Sequence, residues 1–173
     1  MNEVEFIERQ LHLERAHLRE AAAPLRARPA PDTPNTLTPS RLEYLHFALE
    51  RFESRAASES LLLTARLEHS PAAAHTRLRE TLAALGEARQ AGQRVRTLID
   101  AGFAPGDIVK IVSITESYDR FFESEERLHA LTRASRAAYS IVERRQIAHL
   151  DADAVLEERR RFGAIDAQAH RGG

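Results

Sequence analysis

Glutamate followed three residues later by histidine occurs three times in this 173-residue chain, as Glu14/His17, Glu43/His46 and Glu126/His129. On a helix that spacing sets both side chains on one face, about a turn apart. Carboxylate together with neutral imidazole suits iron or manganese. Helical bundles assemble two-metal carboxylate sites from two such pairs and single glutamates on two further helices. With 19 Glu and 8 His in the chain, on the order of one such pair arises by chance, so three is a small excess. Glu43 has a competing role, because Ser40 three residues earlier would close a capping box with it.

Three acids, Glu14 among them, fall inside apolar stripes. Glu14 interrupts Ile7, Leu11 and Leu18; Glu59 stands between Ala56 and Leu63; Glu125 follows Tyr118 and Phe122. A lone carboxylate turned inward loses several kcal/mol of solvation, so each must meet arginine, take a proton or meet a metal. Arg55 and Arg89 are candidate partners. His12 and His17 are five apart and do not make a zincin helix. No strand-to-helix elbow supports a Ser-His-Asp triad, and the glycines form no phosphate-cradling loop. His69, His75, His149 and His170 fall at turns or ends and read as solvated. So does the Arg159–Arg160–Arg161 triplet with its neighbours Glu157 and Glu158.

The elements that must position these residues are helical. Val4, Ile7, Leu11, Glu14, Leu18 and Ala21 recur at three and four, as do Leu42, Leu45, Leu49, Phe52, Ala56, Glu59 and Leu63. A third stripe runs through Leu78, Leu82, Leu85, Ala88, Gly92, Val95 and Ile99, and a fourth through Ile108, Ile111, Thr115, Tyr118, Phe122, Glu125 and His129. Residues 27–39 hold four prolines and read as a linker. Ser40 is expected to cap the second helix, and Ser70, followed by Pro71, the third. Gly102 is expected to close the third helix and Asp107 to cap the fourth. One helix over 107–150 would be about 65 Å long at ~1.5 Å per residue, so a break near 133–140 is expected. Asp151 or Asp153 would then cap a short last helix, with 166–173 as a frayed tail. The expected fold is all-α: one domain over 1–173, a four-helix up-down bundle with one or two additional C-terminal helices.

Composition narrows the function. The 25 basic and 26 acidic side chains leave a net charge of -1, which gives no field to gather nucleic acid or anionic lipid. Without cysteine there is no disulfide, thiolate nucleophile or Cys-based metal site. The acidic N-terminus lacks a signal-peptide layout, and no apolar run is long enough for a membrane span, so a cytoplasmic location with no membrane or nucleic-acid partner is expected. One lysine against 24 arginines points to high-GC codon usage and a bacterial source.

The stretches YLHFALERFESRAASESLLL, RLRETLAALGEARQAGQRVRTL and YDRFFESEERLHAL resemble, in order and spacing, helices two to four of hemerythrin-like proteins. The likeness covers most of residues 4–132. It implies a four-helix bundle around a non-haem di-iron centre, used for oxygen binding or sensing. Glu59 matches the glutamate of the family's His-x-x-x-Glu motif, while Arg55 stands in its histidine slot. Leu85 and Phe121 stand nearest the histidine slots of the next two helices, and His12 or His17 matches on the first. Two readings remain open. In one, Glu14, His17, His46, Glu59, Glu126 and His129 rebuild a site for iron, di-iron or mononuclear, serving oxygen or redox sensing. In the other, no metal binds, arginines neutralise the acids, and the bundle is a structural or protein-interaction module, its partner a second copy or another protein, with apolar residues such as Phe47, Phe103 and Phe162 left exposed. Neither reading makes the chain an enzyme.

Overall fold

Side-chain caps set most of the helix starts. The computed structural model describes residues 1–26, 37–102 and 107–169. In α1 (Glu3–Ala21), Asn2 accepts from the Glu5 amide and Glu5 reaches back to the Asn2 amide, a complete capping box. A single-turn α2 (Ala23–Arg26) follows. The next helix, α3 (Pro39–His69), starts two residues earlier than its sequence suggests: Thr38 is the cap, accepting from the Arg41 amide at 3.3 Å, and Pro39 opens the first turn. Ser40 is therefore inside the helix and makes no capping box with Glu43. Proline's missing N–H costs nothing at that position, and its fixed φ suits the helix. Pro39 thus belongs to a helix and not to the linker, of which 27–36 lie outside the described residues.

Pro71 takes the cap position of α4 (Ala72–Asp100), so the expected cap Ser70 instead ends α3. Gly102 has φ 65°, the left-handed closing conformation foreseen for it. Asp107 caps α5 (Ile108–Ala137), accepting from the Lys110 amide at 3.2 Å. The expected break falls at Ala138 to Ser140, where a second capping box, Ser140 with Glu143, starts α6 (Ile141–Ala148). His149 ends α6 at φ 49°, a conformation histidine tolerates better than most side chains, and its ring meets the Ser58 hydroxyl at 2.8 Å. Asp151 accepts from the Ala154 amide at 2.7 Å at the start of α7 (Ala152–Ala169). That last helix is neither short nor frayed from 166.

The fold is an all-α helical bundle, with no strand among the described residues. The most extensive interface joins α4 to α5, and α4 also packs along α3. Gly92 allows the close approach, since a Cβ there would meet the Phe121 ring at 3.3 Å. The first helix packs on α3, α6 and α7, and shares no extended interface with α5.

Leu18, Tyr44, Leu45, Leu49, Ile114 and Phe121 belong to one apolar cluster; Ala56, Leu63, Leu85, Leu128 and Ile147 belong to a second. Phe52 packs against both. Each fully buried leucine contributes about 1.5–3 kcal/mol, so the three stripes of α3, α4 and α5 carry much of the stability. Phe47 and Phe162 are packed against the first cluster and are not surplus surface; Phe103 lies outside the described residues. The large apolar side chains most open to solvent include Leu61, Ile108, Val109 and Leu156. No described helix is long and apolar enough to cross a membrane.

Candidate functional site

Along α3 the two apolar clusters meet at the turn that carries Arg51, Phe52 and Arg55, and this is where α1 brings its inward acid. Glu14 is 7% exposed. Its Oε1 accepts from Arg51 Nη2 at 3.0 Å and Gln10 Nε2 at 3.3 Å, and its Oε2 from Arg55 Nη2 at 2.6 Å and Arg51 Nε at 3.2 Å. Burial pushes the Glu14 carboxyl upward, but the Arg55 charge and the bonds from both arginines outweigh it and hold the group below the usual carboxylate range. Burial draws Arg55 down, and Glu14 only partly offsets that. Arg55 also donates from Nε to the Ala148 carbonyl at 2.8 Å, tying the end of α6 to the same point.

Glu59, one turn further along α3, is 2% exposed. Arg136 of α5 clasps it with both arms, Nε to Oε1 at 3.0 Å and Nη2 to Oε2 at 2.7 Å, and the Tyr139 hydroxyl donates to Oε1 at 3.1 Å. Burial alone would lower Arg136, but the hydrogen bonds and charge of Glu59 hold it above its ordinary range. Burial, then the Glu59 charge, pushes the Tyr139 phenol up. Glu125 is also turned inward, its side chain 15% exposed, and receives a two-armed bond from Arg15 of α1 at 2.6 and 2.9 Å.

The residues expected to gather around a metal are therefore divided. Glu14 and Glu59 have both oxygens engaged by donors. Glu126 is half exposed and bonded to Arg15 and Arg19. His46 faces Asp100 at 3.0 Å. His17 turns to α7, and His129 is exposed on α5. Among the described residues no group of three or more His, Asp or Glu side chains is placed to hold a metal ion. The donor set of a di-iron centre does not fit these positions: Glu14 accepts four N–H bonds, which fill its lone-pair sites, Glu59 accepts three, and the guanidinium beside each repels a cation.

Glu158 was hidden in its surroundings. Read as part of a mixed charged surface, it is instead 2% exposed. Its Oε1 accepts from the Tyr44 hydroxyl at 2.7 Å and lies 2.7 Å from His17 Nδ1. The His17 ring stacks on Phe162 with centroids 3.7 Å apart, and Phe162 meets Tyr44 edge-on. Burial, then the bond to Glu158, pushes the Tyr44 phenol up. The available signal was periodicity: Glu158, Phe162 and Ile165 follow the same spacing of four and three as the other stripes.

Where α1 stands off from α5, a cavity of about 520 Å³ opens, within the roughly 300–1,000 Å³ range of small-molecule pockets. Leu11 and Leu18 of α1, Ala48 and Phe52 of α3, Leu85 of α4 and Leu128 of α5 give it an apolar lining. The Glu14/Arg55 and Glu59/Arg136 pairs also reach its wall, and His12, His129 and Arg133 line it from exposed positions. Comparison with protein-family models, curated proteins and solved structures gives no match for this chain.

Proposed function

We propose that the chain is a metal-free relative of the hemerythrin-like four-helix up-down bundles, in which arginine has replaced the metal as counter-charge to the inward carboxylates, and that it works by binding a small molecule in the cavity between α1 and α5. The observation that carries this reading is the cavity itself: about 520 Å³ of apolar-lined space beside carboxylates whose charge is already met by Arg51, Arg55 and Arg136. Matched pairs keep the wall rigid and leave apolar surface as the main attraction for a ligand.

The test is binding of N-phenyl-1-naphthylamine, an uncharged dye that fluoresces in apolar surroundings. The wild-type chain takes up the dye at one saturable site. Ala48→Phe and Leu11→Trp, both at half-buried lining positions, fill the space and abolish the signal while circular dichroism stays helical. Dye binding that survives both substitutions in folded protein overturns the reading.

A further inference from the structure

We infer that the ligand of this cavity is an apolar molecule ending in a single carboxylate, received by Arg133. The inference rests on the pocket reading above and adds the chemical class. It follows from a count of charges on the wall. Four acids line the cavity, Glu8, Glu14, Glu59 and Glu125, and each is bonded to a lining arginine: Glu8 to Arg144, Glu14 to Arg55, Glu59 to Arg136 and Glu125 to Arg15. Arg51 adds further positive charge to Glu14 from behind the wall. The fifth lining arginine, Arg133, forms no ion pair or side-chain hydrogen bond with any described residue.

The surplus on the wall is thus positive and is presented by one guanidinium, whose planar fork fits a carboxylate through two parallel N–H bonds. His129 lies one helical turn before Arg133, on the same side of α5. Burial, then the Arg15 charge, holds its imidazole below the ordinary histidine range, so near neutral pH it supplies an N–H without adding charge. His12 of α1 also lines the cavity. Deeper in, Leu85, Leu128 and Ile147 offer nothing polar, and the equally buried Glu14 and Glu59 are already met by arginine, which suits a hydrocarbon body. The occupant therefore lies with its apolar body inward and its charge at the solvent side.

The assignment is tested by competition against the uncharged dye, using decanoate below its micellar range, decanol and decyl phosphate. Decanoate is expected to displace the dye roughly tenfold more tightly than decanol, the advantage of one charge-assisted contact. Arg133→Gln, at an exposed position, removes that advantage and leaves dye and decanol binding unchanged. Equal competition by decanoate and decanol overturns the carboxylate assignment and leaves the pocket standing, as does a decanoate advantage that persists in Arg133→Gln. Tighter displacement by decyl phosphate than by decanoate overturns the assignment to a singly charged ligand. Absence of dye binding by the wild-type chain overturns the pocket reading itself, and this inference with it.

Discussion

Arg55 Nη2 lies 2.6 Å from Glu14 Oε2, joining a buried acid of α1 to α3 at the level where the two apolar clusters meet. Because Glu14 is held below its ordinary range chiefly by Arg55 against the cost of burial, its contribution to stability is full above the unfolded carboxylate value, about 4.3, and is lost as pH falls through the lower folded value. Urea midpoints measured from pH 7 downward should fall steeply below about pH 4.5. Glu14→Gln should be less stable by about 3 kcal/mol at pH 7, and the gap from wild type should narrow in acid.

Arg136 is the cation that clasps Glu59, with Tyr139 as the other donor. Arg136→Met keeps much of the aliphatic stem but leaves a carboxylate buried with one phenol. A loss of about 3–5 kcal/mol is expected, read from urea denaturation. Adding Glu59→Gln to Arg136→Met should recover part of that loss, because the stranded charge is then gone.

His17 holds α7 in two ways, through its ring on Phe162 and its Nδ1 at Glu158. His17→Phe preserves a stack but removes the polar contact, at a cost of about 2 kcal/mol. A double-mutant cycle with Glu158→Gln should show a coupling of about 1 kcal/mol. Additivity within error would mean that the imidazole acts on α7 through stacking alone.

Protein purified without chelator or affinity tag should carry substoichiometric iron, manganese and zinc by elemental analysis, and its thermal midpoint should be unmoved by EDTA. Stoichiometric metal that Glu14→Gln or Glu59→Gln removes would restore the carboxylates as ligands and displace the arginine-pair reading.

The helices and most of their ends were legible in the sequence because periodicity and caps are local. The stripe of α3 from Leu45 to Leu63, the left-handed Gly102 and the cap Asp107 needed only neighbouring residues to be read, and so did the choice between Asp151 and Asp153, of which Asp151 accepts from the Ala154 amide. Starts at Pro39 and Ala72 were displaced by a residue or two because proline favours both a linker and a first helical turn. That Glu14 and Glu59 turn inward was also legible, from their places within apolar stripes. Their partners were less so: arginine reaches far across a bundle, and of the two singled out among 24 arginines, Arg55 meets Glu14 while Arg89 pairs with Glu53 instead of an inward acid. Arg136 reaches Glu59 across 77 positions of chain, a pairing that no local pattern encodes. The cavity was illegible for the same reason, since it arises from the distance two helices keep, not from any one helix.

Arg15 and Arg19 of α1 reach across to Glu125 and Glu126 of α5 where no broad packing joins the two helices. A join made of partly hydrated charges weakens as the Debye length shortens, to about 3 Å at 1 M salt, whereas the hydrocarbon contacts of α4 with α5 do not. Ionic strength therefore acts selectively on one seam of this bundle. On the binding role proposed above, the apolar dye should enter and leave the cavity faster in concentrated chloride, while the melting temperature changes little.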